Sequence, residues 1–258
     1  MSVSPGDTRS RYRIELVQNQ KMLREAQQLR YRVFAEELGA RLPHADEGLD
    51  RDRYDPHCGH ILVRDKTNGN LVACTRVLSP EGAAAAGGYY SQGEFEIGAI
   101  LDLPGRAVEV GRTCVAAGYR NGAVIGLLWQ GIGRLVKDHH VDYLFGCASV
   151  PLTPDPLYAH AVIRELLQRH RSANTPRVKP RHELPPLESG ETELTPRLPP
   201  LIRTYLSLGA RACGEPCWDP LFKVADLFML LSLRELAVNF ARHFAPNEQE
   251  NPSEAVRA

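Results

Sequence analysis

The residues best suited to chemistry in this sequence are a glutamate in an apolar run and two arginines near it. Glu109 lies in the run Ala107–Val115, Arg112 follows three residues later, and Arg76 lies on an earlier apolar run. A carboxylate on a central strand can take a proton from an attacking amine, directly or through water. The pattern therefore indicates Glu109 as a candidate base. A structural ion pair of Glu109 with Arg112 or Arg76 is an equally open interpretation.

The spacing of Glu109 and Arg112 determines which faces of the strand their side chains occupy. Residues three apart point to opposite faces of a regular strand. A bulge at Gly111 would return both side chains to one side. We therefore expect an irregular strand at this position.

Four more candidates precede these residues. Arg30 and Phe34 are four apart on a predicted helix, so they share one face. Asp52 and Asp55 lie in the polar, acidic loop that follows. These carboxylates either hold the cationic side chain of an acceptor or pair with arginines of the helix. The sequence leaves both alternatives open, and an exposed Arg–Asp pair by itself contributes little.

The elements that must position these residues follow from periodicity and turn signals. Asn68-Gly69 predicts a hairpin turn. We predict strands over 11–18, 60–65, 70–78, 107–115, 141–150, 211–217 and 221–231, helices over 19–38, 124–138, 157–170 and 201–209, and a small-residue loop over 81–88. Residues 171–200 are rich in proline and predict an insertion or linker, and the tail from about 246 is expected to be disordered. This order predicts one α+β domain over 1–258, a mixed central β-sheet flanked by helices.

Composition narrows the function class. The chain is 43% hydrophobic and 24% charged with zero formal net charge, which is typical of a globular protein and gives no reason to expect nucleic-acid binding. We find no secretory signal and no apolar run of membrane-spanning length. We therefore expect a cytoplasmic protein with six reduced cysteines. The Cys and His clusters, His57-Cys58 with His60 and Cys213 with Cys217, lack the usual zinc spacing, so we predict no metal site.

Taken together, the first-half residues resemble a known signature. Arg30-x-x-x-Phe34, Asp52-x-Tyr54-Asp55, Arg76 and Glu109-x-x-Arg112 resemble the pattern of acyl-homoserine-lactone synthases. Those enzymes have a GNAT-like fold, that of the N-acetyltransferase superfamily, and take acyl groups from acyl carrier protein. The resemblance implies that these residues bind substrate around Glu109. It also implies a bulge that splays the sheet to admit a pantetheine arm.

The second half resembles the L-ornithine N-alpha-acyltransferases of ornithine-lipid synthesis. The similar runs are Gly111–Val115, Leu128–Ile132, Tyr143–Ser149, Leu198–Ala210 and Asp219–Asp226. The resemblance spans about residues 20–235. A homoserine-lactone synthase usually carries a tryptophan soon after the first helix, where this chain has Arg41-Leu42-Pro43, and this favours the ornithine branch.

The resemblance implies transfer of a 3-hydroxyacyl group from acyl carrier protein to the α-amine of ornithine, giving a lyso-ornithine lipid. No cofactor is expected, because the donor is the acyl-phosphopantetheine of the carrier. Tyr205, four residues before Gly209, is either the acid for the leaving thiol or structural. The alternatives are another acceptor, such as glycine, lysine, glutamine or S-adenosylmethionine, and a non-catalytic carrier-binding or membrane-surface module.

The turn after the central strand favours the carrier protein over coenzyme A. Coenzyme A enzymes of this fold use small residues there to bring backbone N–H groups onto the pyrophosphate. Here the stretch is Arg120 to Ile125, in which Ala123 and Ile125 occupy positions of close approach. Arg120 and Arg134 are the predicted contacts for the acidic carrier. Peripheral contact with the inner face of the membrane is compatible with a long-chain product.

Overall fold

A mixed β-sheet forms the centre of the protein. The computed structural model describes residues 11–152, 154–171, 175–185 and 196–236. The main sheet contains eight strands, Tyr12–Leu16 (β1), Gly59–Asp65 (β2), Leu71–Leu78 (β3), Ala107–Val115 (β5), Tyr143–Pro151 (β6), Arg211–Ala212 (β8), Cys217–Asp219 (β9) and Val224–Ser232 (β10). A second sheet pairs Phe95–Glu96 (β4) with Lys179–Pro180 (β7).

The strand order explains why β5 and β6 are central. The order is β1-β2-β3-β5-β6-β10-β8, and β9 pairs with the other end of β10. All the neighbours are antiparallel except β5 and β6, which run parallel. A parallel pair needs a crossover connection, and the helix between the two strands supplies it. The α+β prediction of a mixed sheet flanked by helices is confirmed.

Helices cover both faces of this sheet. They are Gln20–Tyr31 (α1), Pro80–Ala86 (α2), Gly98–Leu101 (α3), Gly122–Asp138 (α4), Pro156–Arg169 (α5) and Pro200–Ser207 (α6). Leu62 on β2 packs in the cluster under α1, whereas Ile61 and Val63 pack in the larger cluster under α4. The whole of β3 is buried. A strand covered on both faces has no side open to solvent, which explains why β3 is apolar except for the buried Thr75 and Arg76.

The first helix begins at a capping asparagine and its continuation stops before a glycine. Asn19 caps α1 by accepting a hydrogen bond from the Met22 N–H at 3.0 Å. The helix continues as a π-helical segment over Arg32–Glu37, and Gly39 follows with a φ of +75°. The predicted 19–38 helix is therefore confirmed, with a change of hydrogen-bond pattern at its end that the sequence did not indicate.

Two sequence predictions need correction. Residues 81–88 were expected to form a small-residue loop, but most of them belong to the helix α2. Ser79 caps this helix, Pro80 begins it, and alanine is the best helix former. The stretch expected as a linker includes the strand β7, and Val178 beside it is buried. The expected disordered tail from 246 lies outside the described residues. Among the described helices, none is both long and apolar enough to cross a membrane.

Candidate active site

The central parallel pair separates soon after it forms. β5 and β6 pair only from Ala107 opposite Tyr143 to Glu109 opposite Phe145. Gly146 follows at the point of separation, where a Cβ atom would collide with the Val110 carbonyl oxygen. Beyond this point the strands diverge and border a cavity of about 520 Å³. Such a volume suits a small-molecule ligand.

Several of the predicted site residues line this cavity. Those lining it are Phe34, Arg76, Glu109, Arg112 and Tyr205. Arg30, Asp52 and Asp55 do not belong to its lining. Asp55 pairs with Arg30 of the helix, and both aspartates pair with the lining residue Arg76, so these three residues lie behind the cavity wall.

The expected bulge exists, one residue later than predicted. Thr75 on β3 faces both Arg112 and Thr113, because the register changes between Cys74 and Arg76. Arg112, rather than Gly111, has the left-handed conformation, with a φ of +51°. A bulky residue is uncommon there, and such strain persists where surrounding contacts fix it. The bulge lets Glu109 and Arg112 line the same cavity, as the spacing required.

Glu109 is buried, with only 4% of its surface exposed. Its carboxylate accepts hydrogen bonds from the backbone N–H groups of Tyr90 at 2.7 Å and Ser91 at 2.8 Å. Burial raises the pKa of Glu109, and these bonds and the Arg76 charge offset only part of that effect. A carboxylate with a raised pKa is a stronger base than an exposed one. Glu109 thus fixes the turn at Tyr90 through backbone N–H groups, and the ion pairs among the described residues do not include one of Glu109 with Arg112 or Arg76. Its role as a base stays a prediction.

A buried ion network lies behind the cavity. Arg30, 1% exposed, pairs with Asp50 at 2.9 Å and Asp55 at 2.6 Å. Asp55 also accepts from Arg76 at 2.8 Å, and Arg76 reaches Asp52 at 2.6 Å. Burial alone would raise the pKa of the Asp55 carboxyl, but the Arg30 guanidinium holds it well below its usual range. The network therefore links α1 and the acidic loop to β3 as fully charged pairs.

Arg112 connects the network to the cavity. Its guanidinium lies 3.2 Å from Asp50 and 3.5 Å from Asp52. It also lies between two aromatic rings, 4.6 Å from the centroid of Tyr90 and 4.7 Å from that of Phe222. Burial opposes its charge, but the Tyr90, Asp50 and Asp52 groups raise the pKa of Arg112 well above normal. Arg112 is thus a fixed cation at the cavity wall.

Phe34 and Tyr205 complete the predicted set. Phe34 meets Phe222 edge to face, with 5.7 Å between ring centroids. Tyr205 meets Trp129 in the same way at 5.7 Å. Burial raises the pKa of Tyr205 to about 12, and a hydrogen bond with Thr113 offsets a small part. Tyr205 therefore keeps its proton at neutral pH, which suits either an acid or a structural donor.

Sequence reasoning missed three carboxylates beside the cavity. One oxygen atom from each of Glu94, Asp219 and Asp226 lies within 4.8 Å of the others, and the two aspartates line the cavity. Asp226 on β10 accepts a hydrogen bond from Ser149 on β6 at 2.6 Å. Burial and the nearby Glu94 raise the pKa of Asp226 well above its usual range. The run Asp219–Asp226 contained the two aspartates and Tyr143–Ser149 contained Ser149, but Glu94 lay in neither run. Nothing in the spacing of these residues indicated a role.

The structure does not bring the two predicted carrier-binding arginines together. Arg120 pairs with Glu37, itself a cavity-lining residue, at 2.7 Å. Arg134 is exposed and lies more than three turns along α4, roughly 20 Å from the start of that helix. At the start of α4, Asn121 already accepts the Val124 N–H at 3.1 Å. Arg120 is therefore the candidate closer to the cavity.

The divergent parallel strands, the bordering cavity and its buried carboxylate define an acyltransferase of the GNAT class. The family model described as "Acetyltransferase (GNAT) domain" matches residues 29–130. The acyl-homoserine-lactone synthase LasI has a similar fold, with a TM-score of 0.50, 11% identity, and coverage of 91% of this chain and 94% of that chain.

Sequence relatives define the family more narrowly. The chain is 34% identical to the L-ornithine N(alpha)-acyltransferase of Agrobacterium fabrum over 89% of this chain and 83% of that protein. It is 32% identical to the protein of the same name from Brucella abortus over 90% of this chain and 88% of that protein. The chain belongs to the L-ornithine N(alpha)-acyltransferase family.

Proposed function

We propose that this acyltransferase moves a 3-hydroxyacyl group from acyl carrier protein to the α-amine of ornithine, giving a lyso-ornithine lipid. The acceptor follows from the names of the relatives, which cover nearly the whole chain. The observation that carries the proposal is the cavity at the divergence of β5 and β6, where a buried carboxylate and two fixed arginines meet.

The reaction requires one proton transfer and one bond exchange. The amine nitrogen attacks the thioester carbonyl, the new C–N bond forms, and the C–S bond breaks to release the phosphopantetheine thiol. Glu109 takes the proton from the amine, directly or through water. A thiolate leaves without help, so Tyr205 is not essential as its acid. Arg76 and Arg112 line the cavity and attract the carboxylate of the amino acid by their positive charge. Their guanidinium groups meanwhile stay paired with the aspartates behind the cavity wall.

The donor preference is supported by the start of α4. The side chain of Asn121 already accepts a hydrogen bond from the Val124 N–H, which is one of the free backbone N–H groups that a pyrophosphate would use. The side chain of Ile125 fills a position where the backbone would need to approach closely. A carrier-bound phosphopantetheine has one phosphate and no nucleotide, so it avoids this surface. We expect strong preference for carrier thioesters over the matching coenzyme A thioesters, and a rate that falls as salt rises.

The site of action follows from the product. A long-chain acyl amino acid partitions into lipid, so we propose that the protein acts in the cytoplasm and touches the inner face of the membrane peripherally. Leu38 and Leu221 are about half exposed. Leu38 lines the cavity and Leu221 precedes the lining residue Phe222. These two leucines therefore place apolar surface at the cavity entrance.

Expression in a bacterial host that makes no amino lipids tests the acceptor. Extracted lipid should contain a 3-hydroxyacyl ornithine, identified by mass spectrometry, which is absent from cells with the empty vector. An acylated glycine, lysine or glutamine, or a homoserine lactone, would instead select another acceptor. No new lipid in cells with abundant folded protein would favour a non-catalytic binding module.

A further inference from the structure

The acidic cluster of Glu94, Asp219 and Asp226 is not neutralised by the part of the chain that the structure describes. The side chains are 9%, 8% and 3% exposed, respectively. Arg112 lies near enough to act on Glu94 and Asp226 through space, but it pairs with Asp50 and Asp52 instead. Buried carboxylates are costly without a partner. The cluster is therefore prepared for a cation that comes from outside.

The hydrogen bonds of the cluster leave several oxygens free. Asp219 accepts from the N–H groups of Leu221 at 2.8 Å and Phe222 at 3.0 Å, both through Oδ1. Asp226 accepts from Ser149 through Oδ1. Neither oxygen of Glu94 has a well-formed hydrogen bond within the described ranges, although the Cys147 thiol and the Tyr90 hydroxyl lie near it. One oxygen of each aspartate and both of Glu94 thus remain available.

The number and kind of free groups fit an alkylammonium ion. An ammonium group has three N–H donors and no acceptor, so three carboxylates can accept all of them. Calcium and magnesium need six or more oxygen ligands, and two of the six carboxylate oxygens here are already used by the turn at Asp219 and the bond to Ser149. The cavity joins the cluster to Glu109 and Arg112. One small molecule can therefore reach both places.

We infer that Glu94, Asp219 and Asp226 bind the side-chain ammonium of a diamino-acid acceptor. The choice of acceptor rests on the proposed function. With the far ammonium at this cluster and the carboxylate at the arginines, the α-amine is left to face Glu109. Ornithine is thereby distinguished from neutral amino acids by its second amine. This role replaces the one that the sequence suggested for Asp52 and Asp55, whose charges are taken by Arg30 and Arg76.

Calorimetric binding of ornithine and of norvaline tests the inference. Norvaline has the same carbon chain without the terminal amine. The native protein should bind ornithine at least about tenfold more tightly. Asp226→Asn keeps an oxygen for Ser149 but removes one of the three carboxylates, and Glu94→Gln removes another. Both should abolish the preference while norvaline binding is kept, and Asp138→Asn, an exposed control on α4, should leave the preference unchanged.

The outcomes separate this inference from the proposed function. Equal binding of the two amino acids by native protein overturns the inference, and so does a preference that survives both substitutions. Tight Mg²⁺ or Ca²⁺ binding that Asp226→Asn abolishes would also overturn it, in favour of a metal site. Ornithine that binds through the cluster but is not acylated contradicts the proposed function and leaves the inference standing.

Discussion

Asp55→Asn should destabilise the protein by about 3–5 kcal/mol, the usual cost of breaking a buried ion pair from one side. Asp55 receives hydrogen bonds from Arg30, Arg76 and Gln27. An asparagine turns one acceptor oxygen into an NH₂ group that faces these donors. It also leaves two buried guanidinium groups short of one negative charge.

The magnitude can be converted to a melting temperature. For a chain of 258 residues, 1 kcal/mol corresponds to about 2 °C. Differential scanning calorimetry should therefore show a Tm lower by roughly 6–10 °C. Glu81→Gln is a matched control, because Glu81 pairs with Arg106 at an exposed position. That variant should melt close to the native temperature.

The pH dependence gives an independent check. The folded-state pKa of Asp55 is depressed, so its stabilising effect is complete above the unfolded pKa of about 3.9 and is lost as pH falls further. The Tm difference between native protein and Asp55→Asn should thus be constant near neutral pH and narrow below about pH 4. A variant with native Tm but no activity would refute the supporting role and restore Asp55 as a substrate contact.

Three further predictions concern the cavity wall. Glu109→Gln should lower kcat about a hundredfold or more and also lower Tm. In the native enzyme, the acid limb of the pH profile of kcat/KM should lie above pH 4.5, since burial raises the Glu109 pKa. A variant as active as native protein removes Glu109 from the mechanism. Tyr205→Phe should lower kcat less than about tenfold, because thiolate leaves readily, whereas a hundredfold loss at unchanged KM would assign Tyr205 as the acid. Gly146→Ala should push β6 away from the Val110 carbonyl and lower both Tm and activity. The control Gly126→Ala, which has open space in α4, should raise Tm because alanine favours a helix. Equal effects of the two substitutions would contradict the close approach of Gly146 to Val110.

The fold was largely predictable because its signals are local. The hairpin at Asn68-Gly69, the alternating and continuous apolar runs, and the stop at Gly39 all act within a few residues. The helix α2 was missed because alanines and glycines were read together as a loop, although Ser79-Pro80 is a strong helix start. The pairing of Lys179–Pro180 with Phe95–Glu96 joins segments far apart in sequence, and no local pattern specifies it.

The site was predictable in composition but less so in arrangement. Sequence placed Arg30, Asp55, Arg76 and Arg112 in one constellation, and the structure does join them through shared carboxylates. The sequence could not show which charges face the cavity, since that depends on burial and on the bulge at Arg112. The cluster around Asp226 was missed because the turn before β4 and the strands β9 and β10 bring its three members together only in the folded chain.

The central claim is tested most directly with purified protein and 3-hydroxyacyl carrier protein. The assay supplies ornithine, glycine, lysine, glutamine and S-adenosylmethionine at equal concentration and identifies every acylated product by mass spectrometry. A parallel reaction contains the matching acyl-coenzyme A. We expect Nα-(3-hydroxyacyl)ornithine as the main product, formed much faster from the carrier thioester. A homoserine lactone or another acyl amino acid as the main product, or equal rates with both donors, would contradict the account.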